Sequence, residues 1–341
     1  MGDGTPAAGP PEALDPTETL ATPASEPRGL DTGIHIDTLA VIVQDVVADI
    51  QQRANHPELP TGIPALDQAI WGLHRNELTV ISARPGEGKS TLALQMAWHI
   101  ATQGKKVVFL SLEMTREQLV ERLLIQVTQS VAWELRVGNK AAVEAFCEKL
   151  KPWGPTFDTI NLRVVDRAGK HINEVKHILH EMEETAGAAP DVLIIDFVQL
   201  IRADGTMQKF ELIGEYLNSL KDLAMRYNMA VVVCSQLNRE ATKNKGAKPT
   251  LANLKGSGSI EELADCVILC WWEELGTEEK PSGVRYWLLV EKQRFGSPGE
   301  AIRVNFDKEH LTFHGVEDNV KGWSETPMLP REQEDQPHVQ L

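Results

Sequence analysis

Cysteine is scarce in this chain and carries no metal or disulfide pattern. Cys147, Cys234, Cys266 and Cys270 form no Cys-x-x-Cys pair, which argues against a zinc site or a disulfide framework. Cys234, Cys266 and Cys270 stand in strand-like apolar runs, where cysteine serves as a small buried hydrophobe. Apolar runs of membrane-spanning length are missing, and residues 1–10 lack the basic start and apolar core of a secretory signal. A reducing cytoplasm and no membrane partner are therefore expected. Basic residues are also in deficit. Lys and Arg number 34 against 49 Asp and Glu, a net charge of −15 that argues against broad, nonspecific adhesion to nucleic acid. A local basic path is still allowed. Large apolar residues are nearly absent from the N-terminal end and sparse at the C-terminal one. Residues 1–33, rich in Pro, Ala, Thr, Gly and acids, and residues 318–341 cannot bury enough surface to offset chain entropy, so both are expected to be disordered tails. What lies between is enough for one large α/β domain.

What is present is an alternation of strand-like and helix-like segments. Apolar β-branched runs occur at Leu78–Ser82, Val107–Leu112, Leu162–Val165, Val192–Asp196, Ala230–Ser235 and Cys266–Trp271. Helical patterns fill most of the gaps, as from Lys209 to Tyr227. Continuous apolar strands with intervening helices imply an α/β fold, a mostly parallel central sheet with helices on both faces. Ligands in such folds bind at the carboxyl ends of the strands, so the polar residues that end each strand are the ones to question. Upstream, Leu39, Ile42, Val43, Val46, Val47 and Ile50 recur at three- and four-residue steps, an amphipathic helix with Asp37 as its N-cap. Residues 34–60 are thus expected to be a helix and connector preceding a domain over 61–317.

The first strand runs into Ala83-Arg84-Pro85-Gly86-Glu87-Gly88-Lys89-Ser90, and a helix-like run from Leu92 to Ile100 follows. A glycine-bearing turn ending in Gly-Lys-Ser between strand and helix is the construction of a phosphate-binding loop. A nucleoside triphosphate site is expected over Arg84, Pro85, Gly86, Glu87, Gly88, Lys89, Ser90 and Thr91. Lys89 would bring a point charge to the phosphates and Ser90 a hydroxyl to bound Mg²⁺. Val192-Leu193-Ile194-Ile195-Asp196 ends an apolar strand in a carboxylate that could share that Mg²⁺. Glu113, delivered to the same rim, could deprotonate the attacking water or merely add charge near the next helix, which Thr115 and Gln118 cap. Gln236 closes another strand and could sense the γ-phosphate.

Together these segments resemble the RecA-like motor domain of DnaB-type replicative helicases. The resemblance runs from Thr61-Gly62-Ile63-Pro64-Ala65-Leu66-Asp67 to about Phe306-Asp307. Between them lie Ser111-Leu112-Glu113-Met114, Ile195-Asp196-Phe197-Val198-Gln199-Leu200, Ser235-Gln236-Leu237-Asn238-Arg239, Gly256-Ser257-Gly258-Ser259-Ile260-Glu261 and Glu291-Lys292-Gln293-Arg294. Six ordered motifs are far more specific than one. The resemblance implies that Glu113 is the catalytic carboxylate, Gln236 the γ-phosphate sensor and Asp196 the Walker B acid. It also implies that Lys292 and Arg294, which alone would read as a solvated hairpin end, reach across a subunit interface into the neighbour's ATP site. The segment from Arg239 to Gly258 carries Arg239, Lys243, Lys245, Lys248 and Lys255 against one acid, Glu240, a local reversal in an acidic chain. In the related helicases this region is the central DNA-contacting loop, with backbone around Gly256, Ser257 and Gly258 gripping phosphate. Lys255-Gly256 stands where the family commonly has an Arg-Glu pair.

The implied function is an ATP- and Mg²⁺-dependent ring helicase of a bacterial or phage-infected cell, hexameric, moving on single-stranded DNA during replication. A primase or a helicase loader is the further partner implied. The family's helical N-terminal collar has no counterpart in residues 1–33, which leaves those two contacts open. Two other classes share parts of this pattern. One is a RecA/RadA- or KaiC-like ATPase, which a filament on DNA would favour. The other is a nucleotide-switched DNA-binding protein, against which the retention of Glu113 and Arg294 argues.

Overall fold

A computed structural model describes residues 38–53, 57–166, 169–201, 209–238, 247–254, 257–277 and 280–316. The expected tails, Asp37, and Arg239, Lys243, Lys245, Lys255 and Gly256 of the basic segment lie outside them. The chain opens with α1 (Leu39–Arg53) and α2 (Pro64–Ile70), then enters the sheet through β1 (Leu78–Ala83). Thr38 takes the position before α1, and its carbonyl accepts from the Ile42 N–H at 3.2 Å. After β1 come α3 (Lys89–Thr102), β2 (Val107–Ser111) and four short helices, α4 (Arg116–Thr128), α5 (Ala132–Arg136), α6 (Lys140–Leu150) and α7 (Gly154–Thr159). Then follow β3 (Leu162–Asp166), α8 (Ile172–Ala186), β4 (Val192–Asp196), α9 (Lys209–Tyr227) and β5 (Ala230–Gln236). A last helix, α10 (Ser257–Leu263), leads into β6 (Cys266–Thr277), β7 (Lys280–Gln293), β8 (Glu300–Asp307) and β9 (Thr312–Gly315).

These strands form one sheet in the order β3-β2-β4-β5-β1-β6-β7-β8-β9. The six strands from β3 to β6 are mutually parallel, and β7, β8 and β9 extend the sheet antiparallel. The inner parallel strands β1, β2, β4 and β5 are apolar on both faces because helices cover both, while the edge strand β3 exposes Arg163. In β4, Val192 and Ile194 pack into one core layer while Leu193 and Ile195 pack into the other. Each such side chain, fully buried, contributes roughly 1.5–3 kcal/mol. One layer is filled by α3, whose Leu92, Met96 and Ile100 are buried, the other by α9 through Ile213, Leu217, Leu220 and Ala224. The helix expected over Lys209–Tyr227 is α9 itself. Leu59 is buried against this core, its carbonyl accepting from Leu73 N–H at 2.8 Å.

In the antiparallel extension β7 carries an apolar run over residues 286–290, and β8 does not. In β8 buried and exposed residues alternate, as expected of a strand with one face toward water. Its inward Phe306 stacks on Phe313 of β9 with ring centroids 4.3 Å apart. This aromatic pair lies beneath the turn that joins β1 to α3.

Candidate functional site

Parallel pairing sets the strand ends on one rim. Ala83 is in register with Gln236, and Ser111 with Asp196, so β1, β5, β2 and β4 deliver their terminal residues side by side. Leu112 N–H donates to the Asp196 carbonyl at 2.7 Å, extending that pairing to the residue before Glu113. The Asp196–Phe197 peptide is cis.

The loop after β1 depends on Gly88, whose φ of +88° disfavours any side chain. A Cβ there would lie 2.6 Å from Phe313, so the aromatic pair and the glycine fit one another. Gln95 of α3 clamps the same strand, donating to the Phe313 carbonyl at 2.7 Å and accepting its N–H at 2.8 Å. Gln126 of α4 donates to Thr91 and Leu311 carbonyls at 3.1 and 2.7 Å. These amides hold the start of α3 in place, and no sequence motif marks them. Pro85 and Gly86 face outward, and Thr91 is buried. Arg84 and Glu87 turn toward one another: the Glu87 carboxylate accepts from Arg84 N–H at 3.0 Å and from its guanidinium at 3.2 Å. Burial first, opposed by Arg84, holds the Glu87 carboxyl above its ordinary pKa. These two side chains brace the loop from within.

Lys89 is buried and its ammonium is paired with Asp196 Oδ1. Burial disfavours that charge, but Cys234, Asp196 and Glu113 outweigh it and hold the Lys89 pKa above its ordinary value. Ser90 Oγ lies 3.4 Å from Lys89 Nζ. Asp196 Oδ2 is buried and has no hydrogen-bond partner, the kind of vacant oxygen that a hard cation beside Ser90 would satisfy. The residues thus fit Mg²⁺. Glu113 is exposed on the same rim. Thr115 and Gln118 do form the reciprocal cap of α4, at 3.4 and 3.1 Å. The Gln236 N–H donates at 3.1 Å to Gln199, which in turn donates to Ser235 Oγ at 2.7 Å, fixing the end of β5 to that of β4.

Arg294 and Lys292 sit elsewhere. Arg294 follows β7 and is held by Asp265, which hydrogen-bonds backbone to backbone with Leu78 at the start of β1. The phosphate loop begins at the other end of β1, about 16 Å away at a strand's rise per residue. No arginine side chain spans that gap within one chain. Lys292 Nζ donates to the Glu261 carbonyl at 2.6 Å, at the end of α10, and burial together with Arg294 lowers its pKa. Ser257 and Gly258 open that same helix. The returning limb of the basic segment touches the site too. Arg84 donates to the Ala247 carbonyl at 2.8 Å, and Lys248 pairs with Glu291 at 3.4 Å.

Known proteins are similar to this chain. Residues 58–315 match the DnaB-like helicase C-terminal domain. The chain is 29% identical over 262 residues to the replicative DNA helicase DnaC of Bacillus subtilis (strain 168), covering 76% of this chain and 57% of that protein. It is 31% identical over 266 residues to a probable plasmid replicative DNA helicase of Chlamydia psittaci, covering 74% and 56%. The chain therefore spans a little over half the length of these relatives. Among solved structures, an ATPase domain determined on its own superposes with a TM-score of 0.75 at 23% identity, over 83% of this chain and 100% of that one. A DnaB-like replicative helicase gives 0.70 at 22% identity, over 84% and 69%. These likenesses establish a shared RecA-like fold, and with the family match over three quarters of its length the chain belongs to the DnaB-like helicase C-terminal domain family.

Proposed function

We propose that this chain is an ATP-driven motor that assembles as a ring, six-membered as its family implies, translocates on single-stranded DNA and unwinds duplex DNA during replication. The observation that carries it is the separation of Arg294 from its own phosphate loop by the length of β1, in a site otherwise furnished with Lys89, Ser90, Asp196, Glu113 and Gln236. Arg294 and Lys292 serve a neighbour's nucleotide. A cation inserted from outside stabilises charge on the transferring phosphoryl group, an effect of roughly 10³–10⁵ in rate where arginine fingers have been measured.

Within one subunit Lys89 neutralises phosphate oxygens, Glu113 orients and deprotonates the attacking water, and Gln236 reports on the γ-phosphate. Ser90 and Asp196 hold Mg²⁺, which supplies charge neutralisation on the phosphates when bound. Lys248, with Arg239, Lys243, Lys245, Lys255 and the Gly256-Ser257-Gly258 turn, tracks DNA phosphates without reading bases. Partners are single-stranded DNA and further copies of the chain. A primase or loader is the partner that the family adds.

The test is unwinding of a forked duplex by the purified chain with ATP, beside electron microscopy with single-stranded DNA and a non-hydrolysable nucleotide. Rings and ATP-dependent strand separation, lost in Lys89→Ala, are expected. Filaments, or DNA-stimulated hydrolysis without strand separation, would replace the helicase role with a recombinase-like or switch role.

A further inference from the structure

We propose that Asp265 is the positioning residue for Arg294, setting the finger that one subunit presents to the next; this rests on the trans role proposed above. Asp265 lies just before β6 and its side chain is 1% exposed. Three elements converge on it. Its N–H donates to the Leu78 carbonyl at 2.8 Å, and its carbonyl accepts the Arg294 N–H at 2.9 Å. Its Oδ2 accepts from Leu78 N–H at 2.8 Å and pairs with Lys221 of α9. Lys221 also donates to the Asn76 carbonyl at 2.9 Å, which fixes its own position.

The two oxygens of Asp265 have separate tasks. Oδ2, with Leu78 and Lys221, already satisfies what the fold needs of a buried carboxylate. Oδ1 takes no hydrogen bond of good geometry and faces Arg294 Nη1 at 3.0 Å. The Arg294 side chain is still 52% exposed. One terminal nitrogen of its guanidinium, Nη1, is thus held on a buried anion while the side chain stays half exposed. Arginine has five donors in a planar fork, so one edge can be anchored while the rest stay available to phosphate.

The anchor matters because the finger must arrive oriented. A free arginine loses rotamer freedom when it is fixed, and a misplacement of about 1 Å at a catalytic group can cost about 10²-fold in rate. Lys292 is held independently by the Glu261 carbonyl, so the two cations are fixed by different partners. Of the pair, Asp265 touches Arg294 directly, and through it acts on the neighbouring site.

Mixed oligomers supply the test. Asp265→Asn retains side-chain volume, and it should lower DNA-stimulated kcat by about 10²-fold with little change in the KM for ATP. Mixing it with Lys89→Ala should restore turnover, because interfaces then pair an intact phosphate loop with an intact finger. Mixing it with Arg294→Ala should restore none, since both lack the same function. Asp265→Asn leaves Lys221 without its anion, so the double variant Asp265→Asn/Lys221→Met removes the buried carboxylate together with its half-buried cation. It should show the same pattern. Wild-type kcat in the double variant would overturn the proposal, as would loss of turnover that Lys89→Ala cannot complement while Arg294→Ala with Lys89→Ala recovers. Absence of recovery in that last mixture, in proven mixed oligomers, would instead remove the trans role itself.

Discussion

At Lys89 two opposed forces meet. Burial works against the ammonium, and the surrounding Cys234, Asp196 and Glu113 more than offset it, so the charged form is favoured. Lys89→Ala should therefore weaken nucleotide binding by at least about tenfold and abolish turnover. Glu113→Gln keeps shape but not basicity. It should bind nucleotide as well as wild type and hydrolyse it roughly 10²–10⁴-fold more slowly. Fluorescent-nucleotide titration beside phosphate release separates the two effects, and wild-type hydrolysis by Glu113→Gln would remove the base from that position. Asp67 offers a prediction about stability. Burial raises its pKa from 3.8 to about 6, against hydrogen bonds from Thr61 and Gly62. The folded state thus holds a proton that the unfolded chain releases, so this contribution is complete below about pH 4 and lost as pH rises through about 6. The loss is on the order of 3 kcal/mol. Denaturant titrations from pH 4 to 7.5 should show the decline in wild type and a flatter profile in Asp67→Asn.

Elements differ in how much of them a sequence displays. Asp196, Glu113 and Gln236 were legible because each closes or follows an apolar strand, and Lys89 because it closes the glycine-bearing turn; strand register and the Lys89–Asp196 pair bring them to one rim. The supports beneath them were not. Gln95, Gln126 and Gln199 are amides whose partners lie 35 or more residues away, and no local pattern marks such a pairing. Strand β8 alternates and β9 is four residues long, so neither has the run that betrays a two-faced strand, whereas the apolar run over residues 286–290 of β7 was there to be read. Pairing of Lys248 with Glu291 was equally hidden, and it sets a competition. DNA phosphate must displace the Glu291 carboxylate to take Lys248. A pair this exposed is worth about 0.2–1 kcal/mol, so Glu291→Gln should tighten single-strand binding by roughly 1.5- to 5-fold at low salt. Lys248→Ala should weaken it and reduce the log–log salt slope by about 0.7. Oligonucleotide anisotropy over a salt series measures both. Unchanged affinity in Glu291→Gln would mean that Lys248 is not a phosphate contact.

At the scale of the whole molecule, α1 is the part that its own domain leaves uncovered. Leu39, Ile42, Val43, Val46, Val47 and Ile50 form one apolar stripe, and each is between 45% and 75% exposed. A stripe of this size is costly in water: burying it fully would contribute on the order of 10 kcal/mol before the cost of association. Under the trans role proposed for Arg294, which the length of β1 separates from its own phosphate loop, a second copy of the chain is the occupant that suits it. Val43→Asp with Val46→Asp places two charges in the middle of that face. The variant should dissociate in sedimentation velocity at concentrations where wild type assembles. It should still bind nucleotide, since no residue of α1 belongs to the phosphate loop. Its ATPase should fall toward that of Arg294→Ala, because a subunit without a neighbour has no finger. Crosslinking the variant back into oligomers should then recover part of the lost turnover. If the doubly charged variant assembles and hydrolyses ATP as wild type does, α1 does not hold the ring, and the neighbour must be joined through other surfaces.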